Sequence, residues 1–186
     1  MRGVATAAGV QALASFAERD LLALGREMHR DAAASQEPRA LDAWATRIVT
    51  AAAEVILPRG ETPGATDARV TAFIDHMMAG WYTPEERGRF LAGLTDLDTR
   101  SRAAHGKLFA DCDGADQAAL LTALDGEVAV LRTTDAATAN QHWFALLKYL
   151  TIWGYCTSDA GAQALGLFQL PMRYDSCAPY APAARS

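Results

Sequence analysis

The spacing of five apolar residues constrains this chain more than any other feature. Between Asp67 and Ala79, Val70, Phe73, Ile74, Met77 and Met78 stand at i, i+3, i+4, i+7 and i+8, which gathers them into one stripe on a 3.6-residue helix. On a strand the same residues would scatter over both faces, because side chains alternate there. The helical period returns at Leu41, Trp44, Ile48, Ala51, Ala52 and Val55, at Phe90, Leu91, Leu94 and Leu97, and at Leu120, Leu121, Leu124, Val128 and Leu131. It is widest at Trp143, Phe144, Leu146, Leu147, Leu150 and Trp153, a stripe that neighbours must cover from two sides. Alanine makes up roughly a fifth of the 186 residues, and Val, Ile, Tyr and Thr form no alternating runs. These patterns predict an all-α protein, a compact bundle of about five to seven helices.

Local signals place the boundaries. Pro58 disfavours continuation of the helix that starts near Arg39. The segment from Pro58 to Ala65 holds Pro58, Gly60, Pro63 and Gly64; its prolines fix φ and its glycines permit positive φ, so a compact, shaped loop is expected. Gly80, Trp81 and Tyr82 break the next helix. Thr83-Pro84-Glu85-Glu86 reads as a capping box with proline at the first helical position, starting a helix that frays near Ala103 to Gly106. Another begins at Asp113 or Ala115. Thr133, Thr134 and Asp135 are cap candidates for the last long helix, the natural centre of the bundle, and Ser158 begins a short one. Pro171, Pro179 and Pro182 predict an extended tail. The chain thus divides into an N-terminal segment (1–38), a helical bundle (39–165) and a C-terminal tail (166–186).

Composition excludes several function classes. Lys and Arg number 17 against 22 Asp and Glu, a net charge of −5, and no window carries the basic patch that phosphate backbones require. A nucleic-acid partner is not expected. No run of 18 apolar residues occurs, so no helix is expected to span a membrane. Val4 to Ala17 is uncharged and mostly small and apolar. It reads either as the rear of a secretory signal with an Ala12-Leu13-Ala14 cleavage pattern, lacking a twin arginine, or as a first helix continuing through Leu24. Cys112, Cys156 and Cys177 are too far apart for a zinc, thioredoxin or haem-attachment motif.

Catalytic patterns are equally sparse. Gly88 to Gly93 lacks the Lys-Ser/Thr that would make a phosphate loop, and no serine lies in a nucleophile elbow. His29, His76, His105 and His142 stand singly, without metal-ligand spacing. His76 and His142 read as core-edge side chains, Met77 and Met78 as core filler, Glu85-Glu86 as capping, and Asp96 and Asp98 as a solvated helix end. Trp81-Tyr82 is the one aromatic pair retained as a candidate exposed patch, with packing as the alternative. No catalytic, cofactor-binding or metal-binding residue is assigned.

Several strings are more specific than periodicity. EVILPRGETPGA (54–65), VTAFID (70–75), WYTPEER (81–87) and FLAGL (90–94), followed by LKYLT (147–151), GYCTS (154–158) and RYDSC (173–177), resemble the gluconate 2-dehydrogenase subunit 3 family over roughly residues 45 to 180. The loop at 54–65 and the GYCTS and RYDSC strings carry most of the likeness, because generic helix formation demands none of them. The resemblance implies a non-catalytic small subunit of an oxidoreductase complex. Its partner would be a large flavoprotein of the glucose-methanol-choline type that carries FAD and oxidises a sugar, sugar acid or glycoside, with a cytochrome involved indirectly. It also implies that this chain helps the partner mature, escorts it for export, and resides in the periplasm or cell envelope; without a twin arginine, a cytoplasmic location stays open.

On that reading Trp81, Tyr82, Tyr155, Arg173, Tyr174, Cys177, Pro179 and Tyr180 are the candidate partner interface, since Tyr and Arg are favoured anchors. Cys177 is a candidate for a disulfide to the large subunit; an intrachain bond to Cys156 and free thiols are the alternatives. Two rival readings remain: a stand-alone all-α metal-dependent enzyme whose His and acidic residues converge only in the fold, and a general helical adaptor.

Overall fold

The structure, a computed structural model, describes residues 18–34 and 39–167. Along them run α1 (Glu18–Ala34), α2 (Ala43–Ile56), α3 (Val70–Gly80), α4 (Pro84–His105), a 3-10 turn (Phe109–Asp111), α5 (Gly114–Thr134), α6 (Ala136–Gln141), α7 (Trp143–Thr157) and α8 (Asp159–Ala164). The fold is all-α, with no strand among the described residues. α7 is its axis and contacts each of the other described α-helices. Phe144, Leu147, Leu150, Trp153 and Tyr155 are all buried along it, as expected of a helix whose apolar residues exceed one face. α1, which falls in the 1–38 segment, packs on α3 and α7 and places Met28 in the same core.

The helix starts are capped as the sequence predicts. The Thr83 hydroxyl accepts from Glu86 N while the Glu86 carboxylate accepts from Thr83 N, so both halves of the capping box are present. Asp113 caps α5 and Ser158 caps α8. Gly106, at φ 71°, ends α4 in the left-handed conformation that glycine tolerates best.

Three boundaries differ from expectation: the helix expected from near Arg39 begins only at Ala43, capped by Asp42, because the N–H groups of Arg39, Ala40 and Leu41 are taken by Asp75. The helix predicted from Asp67 begins at Val70, because residues 65–69 form a turn in which Val70 N donates to Ala65 O at 3.1 Å. The last long helix is broken: Asp135 caps only the short α6, and His142, extended at ψ 128°, starts α7 by accepting from Phe144 N through Nδ1. That break raises the count among the described residues to eight α-helices, one above the expected upper bound.

The stripe Val70, Phe73, Ile74, Met77 and Met78 is fully buried, which makes the two methionines core filler. Asp98 corrects the solvated-end reading. Only Asp96 fits it, pairing with Arg100 at 2.7 Å. Two residues on, about 200° around the helix, Asp98 is buried and accepts from Trp44 Nε1 at 2.8 Å and Phe109 N at 2.9 Å. Buried Asp75 accepts from the backbone N–H groups of Arg39, Ala40 and Leu41 at 2.8–2.9 Å and so fixes the entry to α2. Both carboxylates, themselves buried, satisfy buried and part-buried backbone or indole donors.

Candidate functional site

The loop after α2 is shaped by two acids. Glu54, in the last turn of α2, accepts from Arg59 N at 3.0 Å through Oε1 and from Thr66 N and Oγ1 at 2.9 and 2.7 Å through Oε2. Asp67 accepts from Gly64 N at 2.9 Å and from Arg59 Nε at 2.8 Å, and forms a second bond to the same guanidinium. Ala65 and Ala68 are buried and pin the loop to the core. Gly64 is required by closeness: a Cβ there would stand 2.4 Å from Glu54 Oε1 and 2.7 Å from Arg59 N. Neither Gly60 nor Gly64 uses a positive φ; the left-handed residue is Arg69, at φ 54°.

These bonds set the charges. Partial burial alone would raise the pKa of Glu54, but the hydrogen bonds from Thr66 and Arg59 outweigh it and hold the carboxyl below its ordinary value. Asp67 is likewise held low, first by its hydrogen bond from Arg59 and then by that from Gly64 N. The loop is therefore preorganised around two ionised carboxylates.

The end of α7 meets this loop. Tyr155 donates its hydroxyl to Pro63 O at 2.8 Å. One residue earlier, Gly154 lies so close to Phe73 that a Cβ would fall 2.8 Å from its ring. His29 of α1 donates Nε2–H to Gly154 O at 2.6 Å and stacks on Phe73 with centroids 4.7 Å apart. Burial pushes the His29 pKa down, so the ring is neutral at neutral pH. The 54–65 and 154–158 strings, far apart in sequence, thus form one locus, and α1 closes it.

Of the candidate interface residues, Tyr155 is buried in this locus and Tyr82 is buried at the end of α3. Burial drives the Tyr82 hydroxyl well above its ordinary pKa, and the oxygen has no hydrogen-bond partner among the described residues. Trp81 is half-buried and its Nε1–H points to Met28 Sδ at 3.0 Å. The Trp81-Tyr82 pair therefore packs against the bundle. Arg173, Tyr174, Cys177, Pro179 and Tyr180 lie outside the described residues, as does the predicted extended tail beyond Leu167.

Cys112 is buried, with Sγ 3.1 Å from Ser101 Oγ, and Cys156 is half-buried, its thiol pKa raised by burial. Neither forms a disulfide among the described residues. No group of three His, Cys, Asp or Glu that could hold a metal occurs among them, and no described helix is long and apolar enough to cross a membrane.

Sequence reasoning passed over Glu54, Asp67, Asp75 and Asp98 as organisers. Glu54 carried a usable signal: an acid in the last turn of a helix opposes the helix dipole, so a carboxylate there, just before a Pro/Gly loop, points to donors in that loop. Asp75 and Asp98 offered no such signal, since their donors lie outside their own helices, 34 to 36 residues away for Asp75 and 11 and 54 for Asp98.

The family model described as Gluconate 2-dehydrogenase subunit 3 matches residues 43–175, from the first residue of α2 to beyond α8. Comparison with curated proteins gives no match. Comparison with solved structures gives none either.

Proposed function

The chain belongs to the gluconate 2-dehydrogenase subunit 3 family, and from that premise we propose that it is a non-catalytic small subunit that binds and stabilises a large, FAD-carrying dehydrogenase of sugars, sugar acids or glycosides. The family match carries this reading, because it spans the loop, the central helix and the locus where they meet. Within that locus Glu54, Asp67, His29 and Tyr155 each bond to main-chain groups, so these side chains are engaged in holding the loop, α1 and α7 together. The partner is proposed to supply the flavin, the substrate contacts and the route to an electron acceptor such as a cytochrome. Residence in the cell envelope and an escort role in export belong to the same proposal.

Co-expression with the neighbouring large-subunit gene, followed by capture on this chain, tests the reading. A yellow complex that reduces a dye with sugar substrate is the expected result. A colourless chain captured without a flavoprotein, or one that oxidises a sugar alone, overturns it.

A further inference from the structure

Beside the loop locus lies an open cleft of about 560 Å³, walled by α1, the 65–69 turn and the α7–α8 junction. Arg26, Arg30 and Arg69 line it, against the carboxylates of Asp67 and Asp159. Asp67 is already matched by Arg59, which is not part of the lining. Counting that pair as neutral, the exposed Arg30 and Arg69 face the single carboxylate of Asp159, a net of 2 − 1 = +1 on a protein whose overall charge is −5.

The hydroxyls at the junction face inward. Thr157 donates to Trp153 O, while Ser158 donates to Tyr155 O and accepts from Gly161 N. The guanidiniums therefore set the character of the cleft. Arg30 and Arg69 are exposed and enter no ion pair among the described residues. Arg69 also sits at φ 54°, ψ 34°, where an L side chain is disfavoured and glycine is the local solution. Its side chain makes no capping hydrogen bond to α3.

We propose that this cleft is the docking site for an acidic segment of the partner dehydrogenase, gripped by Arg30 and Arg69. Guanidinium forks match carboxylates in pairs of parallel hydrogen bonds, and charge complementarity selects an acidic occupant over an apolar one. The inference rests on the accessory-subunit reading and names the surface through which it operates.

The test compares capture of the co-expressed dehydrogenase by the wild type, by Arg30→Glu/Arg69→Glu, and by Lys107→Glu/Arg132→Glu, which makes the same charge change outside the cleft. Affinities are measured at about 50 mM and about 500 mM salt, because screening weakens exposed ion pairs. The expected result is binding about tenfold weaker or worse for the cleft variant at low salt, a gap that narrows at high salt, and a control close to wild type. A milder pair, Arg30→Gln/Arg69→Gly, removes the charges and relieves the positive φ, so it is expected to fold as well as wild type and still bind more weakly. Wild-type affinity in the milder pair, or equal weakening in the control, overturns the cleft assignment while leaving the accessory role standing. A wild type that captures no dehydrogenase overturns the accessory role, and the cleft assignment falls with it.

Discussion

The hydroxyl of Tyr155, near the end of the central helix, donates to the carbonyl of Pro63 at 2.8 Å, across 92 residues of chain. The bond ties the loop after α2 to the bundle axis at the point where α1 also attaches. Tyr155→Phe keeps the ring and its packing but leaves the Pro63 carbonyl without this donor. Stability is expected to fall by about 1–2 kcal/mol, read as a lower denaturation midpoint with an unchanged circular-dichroism spectrum.

Glu54→Gln tests whether the loop needs a charged acceptor. A glutamine offers one carbonyl oxygen, and its NH2 opposes donors that both carboxylate oxygens now satisfy. The expected loss at neutral pH is about 1 kcal/mol. Because the folded pKa lies below the ordinary 4.5, the wild-type advantage is complete above that value and disappears as pH falls through the folded one. Melting curves of the two proteins should therefore converge in acid; a constant gap would count against the carboxylate as the cause.

Two histidines make stability sensitive to mild acid. Burial lowers the pKa of both His29 and His142 below 6.5, so above 6.5 both are neutral in either state. Below it the unfolded chain binds protons first, and stability declines until the folded imidazoles protonate too. Protonation also removes the Nδ1 acceptor with which His142 caps α7. His29→Gln is expected to flatten part of the loss that sets in below pH 6.5, leaving the remainder to His142. Chemical denaturation across that range checks it.

Asp98→Ala should be the most damaging of the polar changes. It strands Trp44 Nε1–H and Phe109 N–H at a buried position, for an expected cost of about 2–4 kcal/mol. Equilibrium unfolding followed by tryptophan emission reads both the cost and the altered surroundings of Trp44.

At the α4–α7 crossing, Gly93 lets the Trp143 ring rest on the helix backbone, where a Cβ would fall 2.0 Å from the ring. Gly93→Ala should raise helix propensity yet lower stability by about 1–3 kcal/mol, because the overpacked ring must move. Gly126→Ala, where a Cβ meets open space, is the control, expected to be neutral or stabilising. Comparable losses in both would contradict the crossing argument.

The sequence alone determined the helices, because their causes lie within a turn or two of chain. The stripe at Val70 to Met78, the capping box at Thr83 and Glu86, and the Ser158 cap are each read from neighbours three or four residues away. The strings at 54–65 and 154–158 also pointed to the family that residues 43–175 match. Tertiary structure decided the rest. Whether Asp98 faces solvent depends on Trp44 and Phe109 arriving from other elements. The cleft between Arg30 and Arg69 exists only because α1 closes over Gly154 and Phe73. Helical periodicity reports which residues share a face; which face meets which is set by packing among segments distant in sequence, and no local pattern encodes that.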